Sequence, residues 1–344
     1  MKGVTIFLLI AFYSCRCSGK GNEVYQSAFD SLKYLVEVNQ PRSFKKAVFI
    51  VENTYLKGTI DYNDLSRTYD LLSDLALSWS KNNHIENYEA ADADQMVLNR
   101  AIFQVIKDTI RVQTDKNLVI FLPFEYNFDD YNGKQNWANT FVSTLLTIHK
   151  GNCHSLPYLY KIISDEIGAK CWLALAPNHM YIKNRSSRDG WFNTELTSGD
   201  FPIDAWLTAT GYIPLKSIQS GLYCDTLSNQ QSIALCVLDL AKAYEKETGN
   251  YYDGFMLQCC DLVLQYHPVN VQALLLQVET LKRVYEKQAK DGDDAAKDTY
   301  TRMEQLYLHL YDMGYREMPD TMYWEWLMTL KDQKDKYSNR KVLK

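Results

Sequence analysis

Apolar residues recur at helical spacing over residues 24 to about 113. Ala28, Leu32, Leu35 and Val36 fall on one helix face, and Leu71, Leu72, Leu75 and Leu77 on another. Gln40-Pro41-Arg42-Ser43 breaks the pattern, with Ser43 placed to cap the next helix. Residues 82–94 are polar and read as a connection. Residues 24–115 therefore read as a helical region packed on the middle of the chain.

The texture changes over residues 116–226. Residues 137–149 are apolar at helical spacing through Phe141, Leu145 and Ile148, and Gly151 reads as the stop. A second helix starts almost at once. Pro157 is tolerated only in a first turn, so that helix begins within a few residues of Cys153. Leu156, Leu159, Tyr160, Ile163 and Ile167 form its apolar stripe, and Gly168 its C-terminal stop. Strand-like runs occupy 171–176, 179–183 and 191–196, the last two separated by a Ser/Arg/Asp/Gly turn. Helices then strands in one segment give an α+β class.

Residues 228–340 are helical again, with a weak internal repeat. Ala234-Leu235 leads to Tyr244-Glu245-Lys246, and Ala273-Leu274 to Tyr285-Glu286-Lys287. Each run is followed by a second helix closing near Pro268 or Pro319, the second pair lengthened by a polar insert at 291–297. Two antiparallel pairs of the tetratricopeptide type fit this pattern, and so does an undifferentiated helical bundle.

Residues 1–17 read as an export signal: Lys2 supplies positive charge, and residues 4–12 are an apolar run too short to anchor in a bilayer. Ser14-Cys15 then resembles a bacterial lipoprotein cleavage site, with Cys15 the lipidation candidate. The expected location is the cell envelope, with membrane attachment only through that lipid. The net charge of −5, without any basic stripe interleaved with aromatics, argues against nucleic acid as a partner. Six cysteines come after Cys17, an even number compatible with disulfides in an exported chain. Cys171, Cys236, Cys259 and Cys260 sit in apolar runs, however, where cysteine behaves as a small hydrophobe.

Cys153 is different. Its place at a helix mouth, beside unpaired N–H groups and the positive dipole end, lowers a thiol pKa. His179 opens a strand and supplies a base. If residues 184–190 form the turn, Lys183 opposes Trp191, and counting back pairs His179 with Glu195 on one sheet face. Thiol, base and orienting acid then occur in that order. A metal site of His149, Cys153, His154 and His179 is the other sharp reading, but the spacing matches no zinc pattern. No metal or other cofactor is expected.

The runs His149-Lys-Gly-Asn-Cys-His-Ser-Leu-Pro-Tyr-Leu-Tyr160, Leu175-Ala-Pro-Asn-His-Met-Tyr-Ile182 and Trp191-Phe-Asn-Thr-Glu-Leu-Thr197 resemble the transglutaminase-like superfamily, in particular bacterial members with helical, tetratricopeptide-like C-terminal segments. The resemblance implies a half-barrel sheet against a central helix. It implies Cys153 as nucleophile, His179 as general base and acid, and Glu195 as orienter, where the family more often carries aspartate. Acyl chemistry on amide bonds of peptides or proteins, by hydrolysis or amine transfer through a thioester, is then the expected activity. The oxyanion is expected on the Cys153 backbone N–H and one further donor, for which Gln135 and Trp137 are the candidates. The alternative is a module that keeps the fold without the reaction and binds a protein partner on its C-terminal helices.

Overall fold

Residues 18–38, 43–113, 117–208, 212–332 and 334–339 are described by a computed structural model. The export signal and Cys15 lie outside the described residues, as do Gln40, Pro41 and Arg42. Four helices come first: α1 Ser18–Glu37, α2 Phe44–Tyr55, α3 Tyr62–Asn82 and α4 Ala93–Lys107. Ser43 caps α2, its hydroxyl accepting from the Lys46 N–H at 3.1 Å. Asp61 caps α3 in the same way through Asn63 and Asp64. Ala28, Leu32, Leu35 and Val36 are buried, as are Leu72 and Leu75, whereas Leu71 faces solvent.

The helical pattern stops earlier than its spacing suggested. Ile110–Gln113 is strand β1, paired antiparallel with β2 Leu118–Phe121. Asp108 ends α4, and the β-branched Ile110 and Val112 beyond it suit a pleated hairpin better than another helical turn.

The middle segment carries β3 Glu125–Tyr126, a 3-10 turn Trp137–Thr140, α5 Val142–Ile148, β4 Lys150–Gly151, α6 Ser155–Glu166, β5 Trp172–Ala176, β6 His179–Ser186 and β7 Gly190–Thr194. The helix expected over 137–149 is broken at Phe141, which is extended. Buried Glu52 of α2 caps α5 there, accepting from the Val142 and Ser143 N–H groups at 2.6 and 2.9 Å. His149, left-handed at φ 56°, ends α5 in place of Gly151. Gly151 instead permits a close approach: a Cβ there would lie 2.4 Å from Ser155 Oγ and 2.8 Å from Leu145 Cδ1.

Helix α6 is buried on every side from Ser155 to Ser164, more than the single stripe expected, because α2 to α5 surround it and the sheet covers the rest. Even Lys161 is enclosed, its ammonium reaching Asp165 at 3.0 Å. Gly168 (φ +72°) and the Ala169 N–H to Ser164 carbonyl bond close the helix. The sheet runs β5-β6-β7, all antiparallel. Cys224 and Leu227 donate to Leu175 and Leu173 and cover the outer edge of β5.

Helices α7 Ala205–Thr208, α8 Leu215–Gln219, α9 Asn229–Thr248, α10 Phe255–Tyr266, α11 Val271–Asp291 and α12 Ala296–Asp312 come next, then α13 Asp320–Asp332 and α14 Lys334–Tyr337. A reciprocal Ser228–Gln231 box starts α9, and left-handed Gly249 ends it. α9 packs on α10, α10 on α11 and α11 on α12. The polar insert is the corner between α11 and α12, turned at Gly292. Pro319 does not simply close a pair; its carbonyl accepts from Tyr323 and starts α13, a helix the repeat did not announce.

The N-terminal helices reach the other end of the sequence. α1 and α2 pack on α9, and the Tyr25 hydroxyl donates to Glu247 at 2.7 Å. One cluster of buried apolar side chains extends from Tyr25 to Leu330. The architecture is α+β, with helices around small sheets. Among the described residues, no helix is long and apolar enough to cross a membrane.

Candidate active site

Cys153 sits in the turn immediately before the buried helix α6. Asn152 Oδ1 accepts from the Ser155 N–H at 3.2 Å, and Ser155 Oγ accepts from the Asn152 N–H at 3.0 Å. This reciprocal pair is a capping box, with the Leu156 N–H bonded to the Asn152 carbonyl. The thiol therefore stands in the turn that leads into α6, two residues before Ser155, where the dipole favours its anion. The side chain is partly buried, and none of the six described cysteines is in a disulfide.

His179 is fixed as the first residue of β6 by a two-residue turn, Pro177 and left-handed Asn178 (φ 53°), between the paired residues Ala176 and His179. Its Nε2 lies 2.8 Å from Glu195 Oε2, with both side chains buried. The other Glu195 oxygen accepts from the Thr197 N–H at 2.6 Å.

The pairing register differs from the one counted on the sequence. Lys183 opposes Asn193, not Trp191, because the turn is tighter and Ser186 still pairs with Gly190. A two-residue shift keeps every side chain on its face. His179 and Glu195 thus remain neighbours, diagonally rather than directly opposed, a distance glutamate spans.

Burial opposes charge throughout this group, and the pairings overcome it. The Cys153 thiol is pushed up by burial but lowered further by the nearby polar His179 ring and its charge, by Tyr323 and by the His154 charge; it ends below the ordinary thiol value. Burial pulls the His179 imidazole down, while the Glu195 charge and Cys153 hold it up at about 10. Glu195 is raised by burial and lowered more by His179 and Thr197. All three directions favour a thiolate–imidazolium pair with an ionised carboxylate behind it.

Helix α13 supplies neighbours that the local pattern did not reveal. The Tyr323 hydroxyl lies 3.7 Å from Cys153 Sγ and 3.5 Å from His179 Nδ1, between thiol and base. The Asn178 carbonyl is 3.8 Å from the same sulfur. Trp326 stands edge-on to the His179 ring at 5.0 Å, and Trp206 does the same at 5.8 Å. Lys134 pairs with Asp320 at 2.6 Å, and Tyr131 packs on Tyr323 and Trp324, which fastens α13 over the thiol. Tyr126 is buried beside Cys153 and Tyr323, and its hydroxyl has no well-aligned hydrogen-bond partner. Nothing in the spacing of these aromatics marks them; only the chain's path does.

The oxyanion candidates are not brought to the thiol. Gln135 is exposed, and its amide donates to the Asp129 carbonyl within its own loop. Trp137 lines a small cavity with His154 and Asp239, and Lys246 lies over its ring. The histidines of the metal reading have separate partners: His149 stacks on Phe124, His154 faces Asp239 and Thr140, and His179 faces Glu195. Among the described residues, no group of three or more His, Cys, Asp and Glu side chains is arranged to hold a metal ion.

No family model matches this chain, and no curated protein matches it. A crystal structure of menin, reported to reveal the binding site for Mixed Lineage Leukemia (MLL) protein, superposes with a TM-score of 0.35 at 13% identity, covering 79% of this chain and 68% of that one. A likeness that slight carries no argument about fold or activity.

Proposed function

We propose that this chain is a transglutaminase-like thiol enzyme acting on amide bonds of peptides or proteins through a thioester. The observation that carries the reading is the buried His179–Glu195 pair at 2.8 Å, with Nδ1 of the ring 3.5 Å from the same Tyr323 hydroxyl that lies 3.7 Å from Cys153 Sγ. The Cys153 thiolate attacks the amide carbonyl carbon, and the carbonyl oxygen becomes an oxyanion. Collapse breaks the C–N bond, and the leaving amine takes the His179 proton. Neutral His179 then removes a proton from water, which attacks the thioester and releases acid and thiolate. An amine in place of water gives transfer instead. Tyr126 replaces Gln135 and Trp137 as the side-chain oxyanion donor in this scheme: burial raises its pKa well above the ordinary value, so the hydroxyl keeps its proton.

A specific observation favours a second reading. Tyr323 occupies the space that a substrate carbonyl needs. A module holding α13 there permanently keeps the constellation without turnover, and its C-terminal helices are then the binding surface for a protein partner. Alkylation separates the two. The enzyme reading expects iodoacetamide to label Cys153 faster than the other five described cysteines near neutral pH, with Cys153→Ala removing the excess and peptide amide cleavage or transfer lost with it. Slow, equal labelling of all six counts against an activated nucleophile; fast labelling without turnover of peptide substrates favours the binding module. Export to the cell envelope, on the short apolar run at 4–12, is part of the same proposal, and mass spectrometry of the mature N-terminus tests both cleavage and a lipid on Cys15.

A further inference from the structure

The residue after the nucleophile has its own carboxylate. His154 Nδ1 lies 3.0 Å from the Thr140 carbonyl, and its Nε2 is 3.1 Å from each Asp239 oxygen. A carbonyl and a carboxylate can only accept, so each ring nitrogen must carry a proton to bond both. Asp239 is fixed in turn by the Tyr158 hydroxyl at 2.8 Å, and the Tyr158 ring lies 4.1 Å from the imidazole. The site draws on three parts of the fold: His154 caps the start of α6 and Tyr158 lies in it, Asp239 comes from α9, and Thr140 from the 3-10 turn.

We propose that His154, held as an imidazolium by Asp239 and the Thr140 carbonyl, is a positioning residue that presents a standing positive charge to Cys153 and leaves proton transfer to His179 alone. The inference rests on the thiolate reading of Cys153. With both nitrogens occupied, His154 has no lone pair to act as a base. Its charge supplements the helix dipole at the neighbouring Cys153 thiol. The groups facing it are Asp239 from α9, Glu52 from α2, and Cys153 and Tyr158 from its own segment. Burial lowers its pKa, but Asp239 and the Thr140 carbonyl raise it more, to about 9.

The test is the pH dependence of Cys153 alkylation by iodoacetamide, followed by mass spectrometry in the full chain, with Asp239→Asn and His154→Gln. Both variants are expected to move the Cys153 profile upward by about one pH unit, which is roughly tenfold less thiolate near pH 7, while leaving the plateau at high pH unchanged. A purely structural His154 moves the melting temperature and not the profile. Where a variant does not fold, ¹⁵N chemical shifts of the His154 ring in the wild type decide: two protonated nitrogens at pH 7 support the proposal, and a neutral ring overturns it. Unchanged profiles in folded variants with an activated wild-type Cys153 also overturn it. An ordinary thiol profile in the wild type sinks the nucleophile reading itself, and the ring shifts then show whether the charged pair nevertheless exists.

Discussion

At the residue scale, the site depends on a few atoms placed by the start of one helix. Gly151→Ala forces a Cβ against Ser155 Oγ and Leu145, so the Asn152–Ser155 cap must open. Loss of the cap and overpacking together are expected to cost about 2–4 kcal/mol, read by chemical denaturation, and to slow Cys153 alkylation with it. Glu195→Gln keeps the shape but removes the charge that raises His179. Turnover of the proposed amide reaction in that variant is expected to fall by roughly two to four orders of magnitude, with the alkaline limb of its pH profile moving down from about 10. An unchanged alkaline limb rules out His179–Glu195 as the acid pair. Cys153, His179 and Glu195 were all legible in the sequence, because helix-start chemistry and strand parity are local rules. Tyr126 and Asp239 were not: each is one residue of a common type, and only folding brings it to the thiol.

At the element scale, α13 lies beside the thiol, and His267 and His154 respond to pH in opposite directions. Removing the hydroxyl and ring with Tyr323→Ala opens the space between Cys153 and His179. Labelling by a bulky maleimide is expected to rise at least several-fold, while a small alkylator gains less; equal gains for both show that α13 is not what limits access. The corner between α10 and α11 holds His267, buried, with Nδ1 3.1 Å from the Asn270 amide. Burial pushes its pKa down to about 4 against the ordinary 6.5, only slightly opposed by Asp225. A folded pKa below the unfolded one means that the unfolded chain binds the proton first. The contribution is whole above about 6.5 and is lost as pH falls toward about 4. His154 runs the other way: its raised pKa adds stability below about 6.5 that fades as pH rises through about 9. Thermal melts across pH are expected to show both limbs, with His267→Phe weakening the acid one and Asp239→Asn weakening the alkaline one, to which the raised His179 also contributes. The helix hairpins at this scale came from apolar spacing, capping residues and glycines. The strand register did not, since a turn of four residues fewer satisfies the same alternation.

For the whole molecule, the ends of the sequence meet. α1 and α2 lie on α9, and one apolar core continues from Tyr25 to Leu330. Leu32 is wholly buried in it, far in sequence from the thiol. Leu32→Ala is expected to cost about 2–5 kcal/mol, and the lost stability is expected to appear in a single unfolding transition shared by N-terminal and C-terminal probes. Separate transitions disprove a cooperative unit.

The sequence by itself determined the α+β class, most of the helices and strands, and the grouping of Cys153, His179 and Glu195. Each of these rests on interactions between residues a few positions apart: periodic burial, caps, turns and alternation. Tertiary structure alone decided that α13 lies over the thiol, that Asp239 reaches His154, and that Gln135 and Trp137 face elsewhere. Those placements depend on how helices pack across long stretches of chain, where many side chains contribute a little each and no short motif records the sum.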